Sequence, residues 1–190
     1  VKDNSIKLAQ LILSKKINNL IFLNYFPELE KFLFWCQQLI AESLGKQNKG
    51  FLPMISKVPK DHHSLLQLYL DGPKDKLFNI FSFNKRSKEI VKINKDLSNN
   101  TFLNKKNLGQ IKNAQKNALI KLFLEKKIPY REFVMKKNDE ETLGKLFSFF
   151  VIETIIVGKL IKINPFNQPA VEEVKIYTKK YLFKNTKNNF

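Results

Sequence analysis

The most constraining feature of this sequence is a short, unbroken apolar run, Asn19-Leu-Ile-Phe-Leu-Asn-Tyr25, followed at once by Pro27 and a helical stripe. A run this short and this continuous fits a strand buried on both faces. Pro27 suits the first turn of a helix, where its missing N–H costs nothing. From there Leu29, Phe32, Leu33, Cys36, Leu39 and Ile40 recur at helical spacing until Gly45, a natural stop. A buried strand followed directly by a helix is half of a parallel crossover unit.

The same alternation continues along the chain. A helix is predicted over Ile6 to Ser14, a second apolar run over Phe51 to Ile55, and a small helix around His63 to Leu70, stopped by Asp71-Gly72-Pro73. Leu77 to Phe83 reads as another strand, and 84–107 as a polar excursion with at most a short strand around Glu89–Ile93. A helix over Leu108 to Lys126 precedes a strand from Ile128 to Met135, whose Pro129 places it at an edge or a strand start. Asn138 or Asp139 caps a long helix through Ile161, with Glu140 and Glu141 where the helix dipole favours them. A last helix is expected from Asn167 to about Tyr181, with a frayed Lys/Asn-rich tail. Strands separated by helices imply an α/β fold, a three-layer α/β/α sandwich on a mainly parallel sheet, followed by C-terminal helical structure. Such sheets bind ligands outside the carboxyl ends of their strands.

Composition removes several function classes. The 190 residues carry 34 Lys+Arg against 17 Asp+Glu, a formal charge of +17, yet only Arg86 and Arg131 are arginine. Base-reading surfaces lean on the planar fork of Arg, whereas these lysines are spread over every segment and accompany 20 asparagines, as an A/T-rich genome favours. The charge therefore argues for compositional drift over solvated faces rather than a nucleic-acid partner. Gly45 and Gly50 stand at P-loop spacing but are followed by Phe51-Leu52, where a nucleotide-binding loop needs Lys and Ser or Thr. Cys36 is the lone cysteine, which excludes an internal disulfide. The most apolar stretch, Leu146 to Ile161, holds Ser148, Glu153, Thr154 and Lys159, so it reads as a core helix and no membrane partner is expected. Val1-Lys2-Asp3 opens without Met or a signal peptide; a cytoplasmic protein, cut from something longer, is expected.

Three constellations carry potential chemistry. In Trp35 to Lys46, Gln38 and Glu42 are four apart and share a helix face away from the apolar stripe. A carboxylate beside a neutral amide can be a general base with an orienting partner, although spacing alone favours a solvated polar face. Pro59-Lys-Asp-His-His63-Ser-Leu-Leu-Gln67 holds both histidines of the chain. Neighbours on a helix point ~100° apart, unlike the i, i+4 pair a metal site prefers, so no metal is expected, and spacing alone leaves both as surface or capping residues. In Asn164 to Lys175, Asn167 suits an N-cap with Pro169 in the first turn, and Gln168 and Lys175 sit seven apart on one face. A lysine so placed can hold a sugar oxygen or donate a proton, or simply be solvated.

Taken together and in order, the three segments resemble the glucose-6-phosphate isomerase family. Gln37-Gln-Leu-Ile-Ala-Glu-Ser-Leu-Gly-Lys46 is similar to the block that carries the family's catalytic glutamate. His63 falls where bacterial members place the catalytic histidine, followed by Ser64-Leu-Leu-Gln67. Gly158-Lys-Leu-Ile, then Phe166-Asn-Gln168-Pro-Ala-Val-Glu and Lys175, resembles the C-terminal signature, with Ala170 where most members carry Gly. The resemblance covers only the second of the family's two sugar isomerase (SIS) domains, with 1–165 as that SIS-type, flavodoxin-like domain and 166–190 as a C-terminal helix and tail packing on it.

The resemblance implies reversible isomerisation of glucose 6-phosphate and fructose 6-phosphate through a cis-enediolate, in glycolysis and gluconeogenesis, without a cofactor. Glu42 would move the proton between C1 and C2, His63 and Lys175 would assist ring opening, and Gln38 and Gln168 would line the sugar pocket. It implies a homodimer with shared active sites, each taking its histidine from the neighbouring subunit. The phosphate loop of the first domain and an Arg in a Gly-Gly-Arg segment, which stabilises the enediolate, have no counterpart here, so the chain alone is expected to be inactive. A non-catalytic SIS module that binds a sugar phosphate is the alternative, but it gives no reason for Glu42, His63 and Lys175 to stand together at family spacing.

Overall fold

The computed structural model of the protein describes residues 1–83, 101–103 and 106–187. Among the described residues four strands form one sheet: β1 (Asn19–Asn24), β2 (Leu52–Lys57), β3 (Lys76–Phe83) and β4 (Tyr130–Met135). Their order is β2-β1-β3-β4 and every pairing is parallel, the flavodoxin-like winding with β1 and β3 in the interior. β1 and β3 are buried on both faces, which is why they read as continuous apolar runs in the sequence.

Among the described residues seven α-helices cover the sheet and extend beyond it: α1 (Lys2–Ser14), α2 (Glu30–Leu44), α3 (Lys60–Ser64), α4 (Leu66–Asp71), α5 (Leu108–Glu125), α6 (Glu140–Leu160) and α7 (Pro169–Lys187). Helices α1, α2 and α6 pack on one face over a core that includes Phe22, Phe32, Phe81 and Phe150. Helices α4 and α5 cover the other through Tyr69, Leu119 and Phe123 against Ile21, Phe78 and Ile80. The result is the expected three-layer α/β/α sandwich. Among the described residues no helix is long and apolar enough to cross a membrane.

Several boundaries depart from the sequence reading, each for a local reason. Strand β4 starts two residues late because Ile128 still serves α5, its N–H bonding the Phe123 carbonyl beyond a left-handed Lys127. Pro129 stands just outside β4, which lies at the edge of the sheet formed by the described residues. The helix expected around His63 is two short ones that meet at Leu65. The strand expected around Glu89–Ile93 lies outside the described residues. Helix α7 begins with Pro169 as its first residue, so the capping position falls on Gln168 rather than Asn167, and it runs past Tyr181 to Lys187.

The packing expected of residues 166–190 needs correction for the described part. Every described side chain from Phe166 to Phe183 is exposed, and the helix meets the body of the domain at its first turn. A second correction concerns the site's position. In a parallel crossover the helix runs back against its strand, so the last turns of α2 return to the amino ends of the strands. Gln37 Nε2 donates to the Pro53 carbonyl at 2.8 Å, beside the start of β2. Glu42 therefore lies by the amino end of the sheet, not at the carboxyl ends where doubly wound sheets usually bind ligands.

Candidate active site

The site is built where α2 ends and α7 begins. Helix α2 stops at Gly45, whose N–H bonds the Ala41 carbonyl; a Cβ there would stand 2.5 Å from that oxygen, so only glycine fits. On the other side, α6 closes in a Schellman-type turn, with Ile163 N–H on the Gly158 carbonyl and Lys162 N–H on Lys159. Gly158 lets Pro165 approach to where a Cβ would find its ring at 3.1–3.3 Å. The chain then turns through Asn164, whose Oδ1 accepts from Phe166 N–H at 2.9 Å, and delivers Gln168 to the end of α2.

There the two elements meet on one carboxylate. Gln38 Nε2 donates to Glu42 Oε1 at 3.0 Å, and Gln168 Nε2 donates to Glu42 Oε2 at 2.6 Å. Each oxygen thus accepts from one neutral amide and keeps further lone-pair capacity for an incoming proton. Glu42 stands between two hollows: about 480 Å³ lined by Lys46, Asn164, Asn167 and Gln168 among others, and about 630 Å³ lined by Trp35, Gln37, Gln38 and Pro53 among others. A half-exposed carboxylate with a fixed rotamer and open volume on both sides can take a proton from a bound carbon acid and return it. The two amides retain a second N–H each for ligand hydroxyls.

The other expected residues are not brought to this point. His63 lies on α3, just past the carboxyl end of β2, whereas Glu42 lies by its amino end. Six residues of strand at ~3.3 Å each separate the two ends. His63 is exposed and has no hydrogen-bond partner among the described residues. Its neighbour differs: His62 Nε2 is 2.8 Å from Tyr25 Oη, with the rings edge to face. Burial lowers the His62 pKa, against a smaller opposing pull from Asp61. Lys175 lies in solvent on α7, paired at 2.6 Å with Glu172, both side chains more than 60% exposed. Among the described residues no three His, Cys, Asp or Glu side chains converge as metal ligands would.

Two long-range features were not legible in the sequence. Lys46 and Lys49 reach the α6–α7 connection, at the Asn164 and Ile161 carbonyls, but a lysine among 32 carries no signal of its target. The Tyr25–His62 contact joins residues 37 apart, and no local period foretells it.

Comparison with known proteins decides the relationship. No protein-family model matches the chain. A glucose-6-phosphate isomerase of Mycoplasmopsis synoviae (strain 53) is 36% identical over 166 residues, 86% of this chain and 38% of that protein. This chain is a relative of the glucose-6-phosphate isomerases. It spans a little over a third of the length of the curated relatives it matches. Among solved structures, a hypothetical protein from Thermus thermophilus superposes with a TM-score of 0.81 at 29% identity, over 94% of this chain and 45% of that one. A glucose-6-phosphate isomerase from Chlamydia trachomatis shares the fold, with a TM-score of 0.71 at 17% identity over 91% of this chain and 35% of its own.

Proposed function

We propose that this chain forms the second SIS domain and C-terminal helix of a cytoplasmic, homodimeric glucose-6-phosphate isomerase, with Glu42 as the base that carries the proton between C1 and C2. The complete enzyme then consists of this chain joined to the portion its relatives possess beyond it. The observation that carries the reading is the capture of both Glu42 oxygens by Gln38 and Gln168, from helices far apart in sequence, at the rim of open volume.

The chemistry follows from that geometry. The amides hold the carboxylate without competing as acids, so the proton it accepts from one sugar carbon returns to the other. Gln38 and Gln168 turn their remaining N–H groups to the sugar hydroxyls. Opening the cyclic sugar needs proton transfer at the ring oxygen and the anomeric hydroxyl, the role of His63 with Lys175. His63, exposed at the far end of the sheet from Glu42, serves the site of a second copy. Lys175 lies seven residues beyond Gln168, about 10.5 Å along the helix at 1.5 Å per residue, enough to meet the opposite end of a hexose once it leaves Glu172.

The test is Glu42→Gln in the complete enzyme, assayed with fructose 6-phosphate in deuterated water. Loss of both turnover and deuterium incorporation at the sugar carbon supports the reading. Turnover within tenfold of the parent removes Glu42 as the base, since general acid–base catalysis contributes ~10²–10⁴-fold.

A further inference from the structure

We propose that Lys46 is the positioning residue of this site: by bridging the end of α2 to the Asn164 carbonyl, it holds the turn that places Gln168 on Glu42. The inference rests on the reading of Glu42 as the base.

Lys46 Nζ donates to the Ser43 carbonyl at 3.0 Å and to the Asn164 carbonyl, 118 residues away, at 2.8 Å. Ser43 lies in the last turn of α2, where carbonyls lack intrahelical partners and a cation suits the dipole. Asn164 starts the turn to α7, with its side chain on Phe166 N–H, and Gln168 follows four residues on. Among the described residues, Lys46 is the donor that the Asn164 carbonyl has. The connection is thus pinned to α2 twice, in main chain through Lys46 and in side chain through the Gln168–Glu42 bond. Since every described side chain of α7 up to Phe183 is exposed, those pins hold the start of the helix where packing would otherwise hold it. The Lys46 side chain lines the same hollow as Glu42, whose charge opposes the lowering of the Lys46 pKa by burial.

Lys49 supplies an internal comparison. It donates to the Ile161 carbonyl at 2.9 Å, seven residues before Gln168, and does not line the hollow beside Glu42. Both lysines tie the same connection, but only Lys46 ties the part that bears on Gln168.

The experiment compares Lys46→Met, Lys46→Arg and Lys49→Met in the complete enzyme, with Glu42→Gln as reference, by kcat, KM and Tm. An error of ~1 Å in a catalytic group costs up to ~10²-fold, so Lys46→Met is expected to lower kcat roughly tenfold or more with little change in KM. Lys46→Arg, which keeps a cationic donor long enough for both carbonyls, recovers most of the loss. Lys49→Met lowers Tm at least as much as Lys46→Met but leaves kcat within about twofold. If Lys46→Met does not fold, Lys46→Gln takes its place, because it keeps the short bond to Ser43 and loses the reach to Asn164. The proposal is overturned if Lys46→Met keeps kcat while Glu42→Gln is dead, or if kcat falls in step with Tm in both lysine variants. If Glu42→Gln itself turns over, the base assignment falls and takes this inference with it.

Discussion

Gln168 and Glu42 stand 126 residues apart in sequence, yet their side chains meet at 2.6 Å, joining the capping residue of α7 to the last turn of α2. The bond sets the second oxygen of a carboxylate whose first is already set by Gln38. Gln168→Leu should therefore free that oxygen and let the carboxylate rotate. We expect kcat of the complete enzyme to fall by roughly ten- to a hundredfold, with a smaller change in KM. Equal losses in both would make Gln168 a substrate-binding residue only.

The two histidines should separate cleanly. His63→Ala is expected to reduce turnover by at least ~10²-fold with Tm unchanged, as removal of an exposed acid–base group should. His62→Ala should do the reverse, lowering Tm through loss of the Tyr25 contact while turnover stays close to the parent. Comparable losses of turnover in two folded variants would place the acid–base role one residue away from His63.

His62 also predicts a pH dependence. Its folded-state pKa is depressed by burial below the ordinary value of 6.5. The unfolded chain then binds the proton more readily, so this contribution to stability is complete above that value and declines as pH falls through the folded-state pKa. Tm should drop more steeply between pH 7 and about 5 in the parent than in His62→Leu, which has nothing to titrate there. Parallel curves would remove His62 as a source of the acid sensitivity.

Much of the fold was legible because its signals are local. The apolar run of β1, Pro27 and the stripe from Leu29 to Ile40 fix strand, turn and helix within 25 residues, and the Asp139 cap marks the start of α6. The site was legible only in part. Gln38 and Glu42 are one helical turn apart, so periodicity alone puts them side by side, whereas Gln168 arrives through the Gly158–Pro165 approach and the lysine ties, which are long-range. The position of Glu42 at the amino end of the sheet follows from the antiparallel return of α2. The general habit of doubly wound sheets points to the other end.

Beneath α6, Arg131 Nη1 and Glu153 Oε1 are 2.7 Å apart, with Arg131 Nε donating to Asn79 Oδ1 and the Glu153 side chain 3% exposed. Burial raises the Glu153 pKa and the Arg131 charge opposes it. Arg131→Met would strand the carboxylate in the core, a change expected to cost about 3–5 kcal/mol. Arg131→Met/Glu153→Met removes both charges and should recover most of the loss, since a matched apolar pair often replaces a buried ion pair at little cost. Urea midpoints of the complete enzyme read the order: parent highest, double variant next, single variant lowest. A double variant below the single one would show that the unpaired Glu153 carboxylate costs the core less than its replacement by Met, and would remove charge balance as the reason for the pair.

The opposite placement of Glu42 and His63 makes the proposal of a shared active site directly testable by mixing subunits. In a two-fold dimer, a Glu42→Gln subunit still offers its His63, and a His63→Ala subunit still offers its Glu42. If the histidine comes from the partner, the hybrid contains one site with both defects and one with neither. Random reassortment makes half of the dimers hybrid, so an equimolar mixture of two inactive variants should regain about a quarter of the parent's activity. If both groups serve a site within one subunit, every site in the mixture carries one defect and activity stays at the level of the separate variants. The measurement is turnover of fructose 6-phosphate after the two variants are unfolded and refolded together, against each refolded alone, and a mixture no better than its components would return His63 to its own subunit's site.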